Sequence, residues 1–313
     1  MSIGANIKKR RFELKMSQQE LAVALGYKTR STIAKIESGE NDVSHSKLKR
    51  FAEALDISVE ELISGYSSPE RVITPIKRDT NGKNVAVILA GGKSGRNSQN
   101  IPSQFINVKG KPVIIYCMEI YEAHPLVDEI YVVCLKGWEN IVKAYAEQYR
   151  ITKLKGLITA GVSGIKSLKN AVDCLSPICK EDDLLIVQES TRPLVSAETV
   201  SRLIQSASET GSGTICHAMK EYVQFDISGE RPQYVPRDNI IALQSPEAHK
   251  FKILSLAFER AEKCGMALNE SCFTMLLHKL GFEINFIESN VNNIKLTREE
   301  DIAAFGALIK ENY

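Results

Sequence analysis

The chain has 313 residues, 43% hydrophobic and 25% charged, which is long for one average domain and ordinary in composition for globular protein. No apolar run approaches the ~20 residues that span a bilayer, and the basic start MSIGANIKKRRFELK lacks the apolar core of a secretory signal. The net charge of +2 conceals an asymmetry: residues 1–50 carry 11 Lys/Arg against 5 Asp/Glu, so the first part alone is expected to meet a polyanion.

In chain order, residues 4–15 place Ile7, Arg11 and Leu14 on one face of a first helix. MSQQELAVALG then offers Ser17 as N-cap with Glu20 three positions on, a capping box, followed by a stripe of Leu21, Val23, Ala24 and Leu25 and a stop at Gly26. TRSTIAKIESG predicts a third helix with Ile33 and Ile36 inward and Gly39 as its stop; 46–57 and 58–63 complete five short helices. SQQELAVALG, RSTIAKIESG and LKRFAEALDISVEELI together resemble the helix-turn-helix domain of the Cro/Xre repressor family. The turn at 27–29 is one position longer than the commonest version, which leaves open which side chain begins the recognition helix. The resemblance implies that this third helix enters the major groove of DNA, with Thr29, Arg30, Ser31, Thr32 and Lys35 toward base edges and Gln18 at a phosphate.

Residues 1–65 therefore read as an all-α DNA-binding domain. Residues 66–83 hold two prolines, paired serines and Asn-Gly without sustained periodicity, and read as a linker. From 84 to 313, continuous apolar runs alternate with helical patterns: strands NVAVILA (84–90), EIYVVC (129–134), GLITA (156–160), DLLIVQ (183–188), TICHA (214–218) and EINFI (283–287), and helices at 137–149, 165–175 and 196–209. Such strands predict a sheet covered on both faces: a doubly wound, mostly parallel α/β domain, Rossmann-like in build. The seven cysteines are scattered singly with no C-x-x-C, as expected of reduced thiols in a cytoplasmic protein.

The loop LAGGKSGRNSQNIPSQF (89–105) joins the first of these strands to a second apolar stretch, the arrangement of a phosphate cradle. A Walker A loop needs a glycine where Val87 stands, and the G-x-G-x-x-G spacing of dinucleotide folds is absent. What remains is an A-G-G-x-x-x-R nucleoside-triphosphate loop. Ala90-Gly91-Gly92 with Arg96, Ile101-Pro102-Ser103-Gln104-Phe105, Gly110-Lys111-Pro112, Thr191-Arg192-Pro193, Arg237-Asp238-Asn239, Gln244-Ser245-Pro246-Glu247 and Asn293-Ile294-Lys295-Leu296-Thr297 follow in order. This series resembles the 2-C-methyl-D-erythritol 4-phosphate and ribitol-5-phosphate cytidylyltransferases, slightly more the second branch.

The resemblance implies transfer of CMP from CTP to a polyol or sugar phosphate with release of pyrophosphate. It gives catalytic roles to Arg96, Arg192 and Lys295, nucleotide binding to Ala90, Gly91, Gly92, Gln104, Gly161 and Ser167, and the acceptor phosphate to Arg237, from the partner chain of a homodimer. It places Mg²⁺ at Glu189. Several positions depart from the family pattern. Ser103 replaces a lysine, Glu189 an aspartate, and Ala160-Gly161-Val162-Ser163-Gly164 lacks an arginine. Lys220-Glu221 and Asn269-Glu270-Ser271 replace further polar motifs, and loop glycines are shifted or lost at Ser94 and Ser98. Arg192 also reads as an ordinary ion-pair partner, and Pro102, Pro193 and Pro246 as turn formers.

Three functions follow from this pattern: a transcriptional regulator sensing CTP or a CDP-polyol or sugar-phosphate ligand through a degenerate site, a working cytidylyltransferase that also binds DNA, or a helix-turn-helix used only for protein docking. The basic N-terminal segment argues against the last.

Overall fold

The computed structural model describes residues 3–14, 16–27, 29–41, 43, 45–57, 59, 62, 82–92, 101–219, 223–229, 231–289 and 292–309. The chain divides into two compact units, Met1–Arg78 and Asp79–Tyr313.

The first unit contains α1 (Ile3–Glu13), α2 (Gln18–Ala24), α3 (Ser31–Glu37) and α4 (His45–Ala54). The capping box forms: the Glu20 amide donates to Ser17 Oγ at 3.2 Å and the Ser17 amide to Glu20 Oε2 at 2.6 Å. Two amides that a helix start leaves unsatisfied thereby find partners. Gly26, at φ +74°, takes the left-handed conformation that ends α2. Ile7, Leu21, Leu25, Ile33, Ile36 and Phe51 form the core. Leu14, expected on the face of Ile7 and Arg11, is 36% exposed; of the expected α2 stripe Val23 is 65% exposed and Ala24 is exposed as well, and Ala22 is buried instead. The reason is helical period: Val23 lies about 200° round the helix from Leu21, whereas Ala22 and Leu25 stay on the buried side. The helix expected at 58–63 falls mostly outside the described residues.

The second unit has strands β1 (Asn84–Ala90), β2 (Asn107–Val108), β3 (Lys111–Pro112), β4 (Glu129–Cys134), β5 (Leu154–Thr159), β6 (Leu184–Glu189), β7 (Ser212–Ala218), β8 (Gln224–Asp226), β9 (Gln233–Val235), β10 (Ile241–Lys250) and β11 (Phe286–Glu288). Its helices are α5 (Val113–Ala123), α6 (Glu139–Gln148), α7 (Gly164–Leu175), α8 (Ala197–Thr210), α9 (Phe251–Lys263), α10 (Phe273–Lys279) and α11 (Glu299–Leu308). Seven strands make one sheet in the order β11-β7-β10-β6-β1-β4-β5, while β2–β3 and β8–β9 are separate hairpins.

β1 runs parallel to both β4 and β6, and β4 parallel to β5. Successive residues of β1 enter opposite cores. Ala86, Ile88 and Ala90 join α5, α6 and α8 on one face, and Val85 and Val87 join α7, α9 and α10 on the other. This is the two-sided burial that the unbroken apolar runs predict.

Strand β10, which the sequence pattern did not predict, lies inside the sheet and antiparallel to β6 and β7. Pro246 has no N–H for a ladder, and the pairing with β7 shifts register between Leu243 and Glu247 to accommodate it. Among the described residues, no helix is long and apolar enough to cross a membrane.

Candidate functional site

A cleft of about 1250 Å³ opens beyond the carboxyl ends of β1, β4, β5 and β6, where ligands of open α/β sheets bind. Gly91, Gly92, Gln104, Gly161, Ser167, Glu189, Arg192 and Lys295 all line it, together with Ser103 and Lys136. Ala90 lies fully buried beneath the first loop. Arg96 falls outside the described residues, as do Ser94 and Ser98 of the same loop and Lys220-Glu221. Arg237 occupies an exposed turn (Arg237–Asn239) and is not part of this chain's cleft wall.

Two glycines are required here by close approach. A Cβ on Gly91 would lie 2.3 Å from the Ala160 Cβ, and one on Gly161 would lie 2.7 Å from the Lys166 carbonyl carbon. The Gly91 backbone therefore packs directly on the Ala160 methyl group, and the Gly161 backbone on the first turn of α7 at Lys166. Side chains brace them. Gln104 Nε2 donates to the Ala90 carbonyl at 2.8 Å and to the Gly92 carbonyl at 3.1 Å. The Gly161 amide donates to Ser167 Oγ at 3.0 Å, and Ser163 caps α7.

Charge in the cleft converges on Glu189, the last residue of β6. Its Oε1 accepts from Lys295 Nζ, and its Oε2 accepts from Arg192 Nε at 2.8 Å. Arg192 also donates Nη1 to the Asn293 carbonyl at 2.8 Å, and the Glu189 amide donates to Ser245 Oγ at 3.1 Å. Burial pushes the Glu189 carboxyl up, but the Lys295 ammonium and Arg192 guanidinium outweigh it and hold the group below the usual carboxylate range. Arg192 is local to this carboxylate, three residues on, whereas Lys295 comes from the segment before α11, 106 residues away.

The second cleft carboxylate has a different task. Glu247 Oε1 accepts from the Phe273 amide at 3.1 Å, and Oε2 from the Thr274 amide at 3.0 Å and the Thr274 hydroxyl at 2.6 Å. It thus ties β10 to the start of α10. Burial pushes its carboxyl up, while His249, Thr274 and the Phe273 amide bring it below the ordinary value.

For Mg²⁺, no group of three or more His, Cys, Asp or Glu exists among the described residues. Mg²⁺ commonly takes one or two carboxylates plus substrate phosphates. Glu189 fits that donor set; Glu247, saturated by α10, does not.

In the first unit, α3 begins at Ser31, with Arg30 before it in a helical conformation, which settles the start that the longer turn left open. Thr29, Arg30, Ser31 and Lys35 are exposed and Thr32 half-buried. The Thr29 and Ser31 hydroxyls share a hydrogen bond of 2.7 Å. Gln18 donates Nε2 to Glu37 Oε2 at 2.9 Å, which commits one of the two N–H groups of its amide within the unit. The same Glu37 accepts from Arg11 Nε at 2.6 Å and Nη2 at 2.9 Å.

Lys136 escaped the sequence analysis, although its position, two residues past a predicted parallel strand, is a ligand-side signal.

Residues 84–311 match the family described as 2-C-methyl-D-erythritol 4-phosphate cytidylyltransferase, and residues 7–62 match a helix-turn-helix family. A ribitol-5-phosphate cytidylyltransferase from Lacticaseibacillus paracasei is 32% identical over 228 residues, 72% of this chain and 97% of that one. One from Streptococcus agalactiae is 28% identical, covering 72% and 95%. A 2-C-methyl-D-erythritol 4-phosphate cytidylyltransferase from Lysinibacillus sphaericus is 26% identical over 226 residues, again 72% and 95%. The crystal structure of 4-diphosphocytidyl-2C-methyl-D-erythritol synthase from Anaerococcus prevotii superposes with a TM-score of 0.61 at 20% identity, covering 72% of this chain and 96% of that one, which speaks to fold. The chain therefore belongs to the 2-C-methyl-D-erythritol 4-phosphate cytidylyltransferase family and carries a helix-turn-helix domain ahead of the family domain.

Proposed function

We propose that this protein is a DNA-binding regulator whose second unit binds CTP or a CDP-polyol or sugar-phosphate conjugate and turns it over poorly. The observation that carries the reading is the state of the cleft cations: Lys295 and Arg192 are both paired with Glu189, and Ser103 offers a hydroxyl to the cleft. Phosphoryl transfer depends on preorganised positive charge around the reacting phosphate. Losing one such donor costs on the order of 10²–10³ in rate. The braced glycine loops, by contrast, retain what binding alone requires.

In this reading the loops after β1 and β5 cradle the nucleotide, with Arg96 at its phosphates. Lys295 and Arg192 leave Glu189 to meet phosphate oxygens, an exchange of one anion for another. Glu189 together with those phosphates would hold Mg²⁺, which when bound neutralises triphosphate charge. Polyol phosphates are the favoured acceptor class because the relatives at 32% and 28% identity are named for ribitol 5-phosphate. Arg237, on its exposed turn, would reach the acceptor phosphate of a partner chain in a homodimer. In the first unit, Thr29, Arg30, Ser31, Thr32 and Lys35 would face base edges, with Gln18 beside a phosphate.

A second reading, an active cytidylyltransferase, is favoured by the presence of Lys295 and Arg192 in the same cleft as the glycine loops. Pyrophosphate release from CTP and Mg²⁺ across pentitol, erythritol and glycerol phosphates separates the two. The regulator reading expects binding with little turnover; robust turnover abolished by Lys295→Ala would overturn it. For the first unit, binding to the protein's own promoter DNA should be sequence-specific and fall steeply with salt. Light scattering at micromolar concentration tests the homodimer.

A further inference from the structure

Five charged side chains among the described residues line the cleft: Lys136, Glu189, Arg192, Glu247 and Lys295. Four are committed, because Glu189 holds Lys295 and Arg192 while Glu247 is held by Phe273 and Thr274. The Lys136 ammonium makes no hydrogen bond or ion pair with a described residue.

Its backbone, however, is firmly placed. β4 ends at Cys134, and the chain reverses at once: the Trp138 amide donates to the Leu135 carbonyl at 3.1 Å, and the Gly137 amide to Glu139 Oε2 at 2.7 Å. Gly137 has φ +92°, a conformation open to glycine and strained for other residues. The reversal lets neighbouring side chains serve different purposes. Trp138 stacks on Phe105, with centroids 4.2 Å apart and planes 10° from parallel. That stack fixes the reversal to the Ser103–Phe105 turn, whose Gln104 braces the glycine loop. Lys136 is left on the cleft wall with a fixed root and an exposed side chain.

A lysine of this kind is a compact charge on a flexible four-carbon stem, suited to meeting phosphate oxygens as a point charge. Lys295 and Arg192 must each give up a carboxylate to bind an anion, so part of their attraction is already spent. Lys136 gives up only water. Resting on the reading of this cleft as a nucleotide site, we propose that Lys136 is a phosphate-binding cation of the cleft, pairing with the triphosphate of CTP or the diphosphate of a cytidine conjugate. It supplies, two residues beyond β4, a charge that Ser103, across the Trp138–Phe105 stack, does not.

Calorimetric titration of the full chain with CTP and with uncharged cytidine, in EDTA, tests this. The expected result is that Lys136→Ala weakens CTP about tenfold, leaves cytidine within about twofold, and is rescued by Lys136→Arg. If the wild-type chain binds CTP and Lys136→Ala binds it equally well, the role of Lys136 is refuted while the nucleotide reading stands. Equal weakening of CTP and cytidine would also refute it, since the residue would then act by positioning the loop. If CTP binds only with Mg²⁺ added, the same comparison is read there; a wild-type chain that binds neither ligand with or without Mg²⁺ overturns the nucleotide reading, and this inference with it.

Discussion

Glu37 in the first unit and Glu189 in the second are the same chemical group, each held by two side chains, in different solvent. The Glu37 side chain is 2% exposed against an Arg11 that is 6% exposed. Glu189 is 32% exposed, and its partners Lys295 and Arg192 are 43% and 15% exposed. A buried pair has nowhere to go: losing one partner strands a charge away from water. A pair on a cleft wall can exchange its carboxylate for another anion at little cost, because water screens every intermediate arrangement. Similar hydrogen bonds thus serve as a pin in one place and as a clasp that a ligand can open in the other.

The sharpest way to break the comparison is Arg11→Ala. It should destabilise the helical unit by about 3–5 kcal/mol, because Glu37 is left buried with Gln18 as its remaining side-chain partner. Urea unfolding followed by far-ultraviolet circular dichroism reads the loss; a change below about 1 kcal/mol would mean that this pair is no more a pin than a surface one.

A frame also exists inside the cleft, and Gly91→Ala addresses it. With Ala160 Cβ 2.3 Å from the added methyl group, the loops after β1 and β5 must separate, at about 1–3 kcal/mol. The melting temperature of the second unit should drop and CTP binding weaken together.

Glu189→Gln addresses the clasp. Removing its charge should leave stability within about 1 kcal/mol. In EDTA it should tighten CTP about tenfold by freeing Lys295 and Arg192. Calorimetry with unchanged or weaker CTP binding would show that the carboxylate does not compete with the ligand.

The smallest effect concerns pH. The Glu189 carboxyl is held below its ordinary value, so its pairing contributes stability that is fully present above the unfolded-state value of about 4.3 and lost only as pH falls through the lower folded value. The Glu189→Gln difference in melting temperature should therefore stay flat from pH 8 to about pH 5 and shrink below about pH 4. A difference that changes between pH 6 and 7 would point to another titrating group.

Much of the fold was legible locally. The Ser17–Glu20 capping box and the bounds of β1 and β4 follow from caps, turn residues and unbroken apolar runs, which act over a few residues. β10 was not legible, because Gln244, Ser245, Pro246, Glu247 and His249 interrupt any apolar run and Pro246 reads as a turn former. Distant elements satisfy two of its buried polar groups: Glu247 is held by α10, and His249 Nδ1 shares a hydrogen bond of 2.8 Å with Ser212 Oγ. The apolar stripe of α2 was misread at Val23 and Ala24 because composition alone does not fix the angle at which a short helix meets its core.

The candidate site divides the same way. By itself the sequence determined the order of motifs, the glycine loop after β1, and the family. The tertiary structure decided how the charges are spent. It joined Glu189 to Lys295 across 106 residues, gave Gln18 to Glu37, turned Gln104 and Ser167 into braces, and left Lys136 on the cleft wall. Caps and apolar runs are set by near neighbours along the chain. Whether a charge is paired, buried or free depends on which remote segment the sheet order brings beside it, and on how much water remains there.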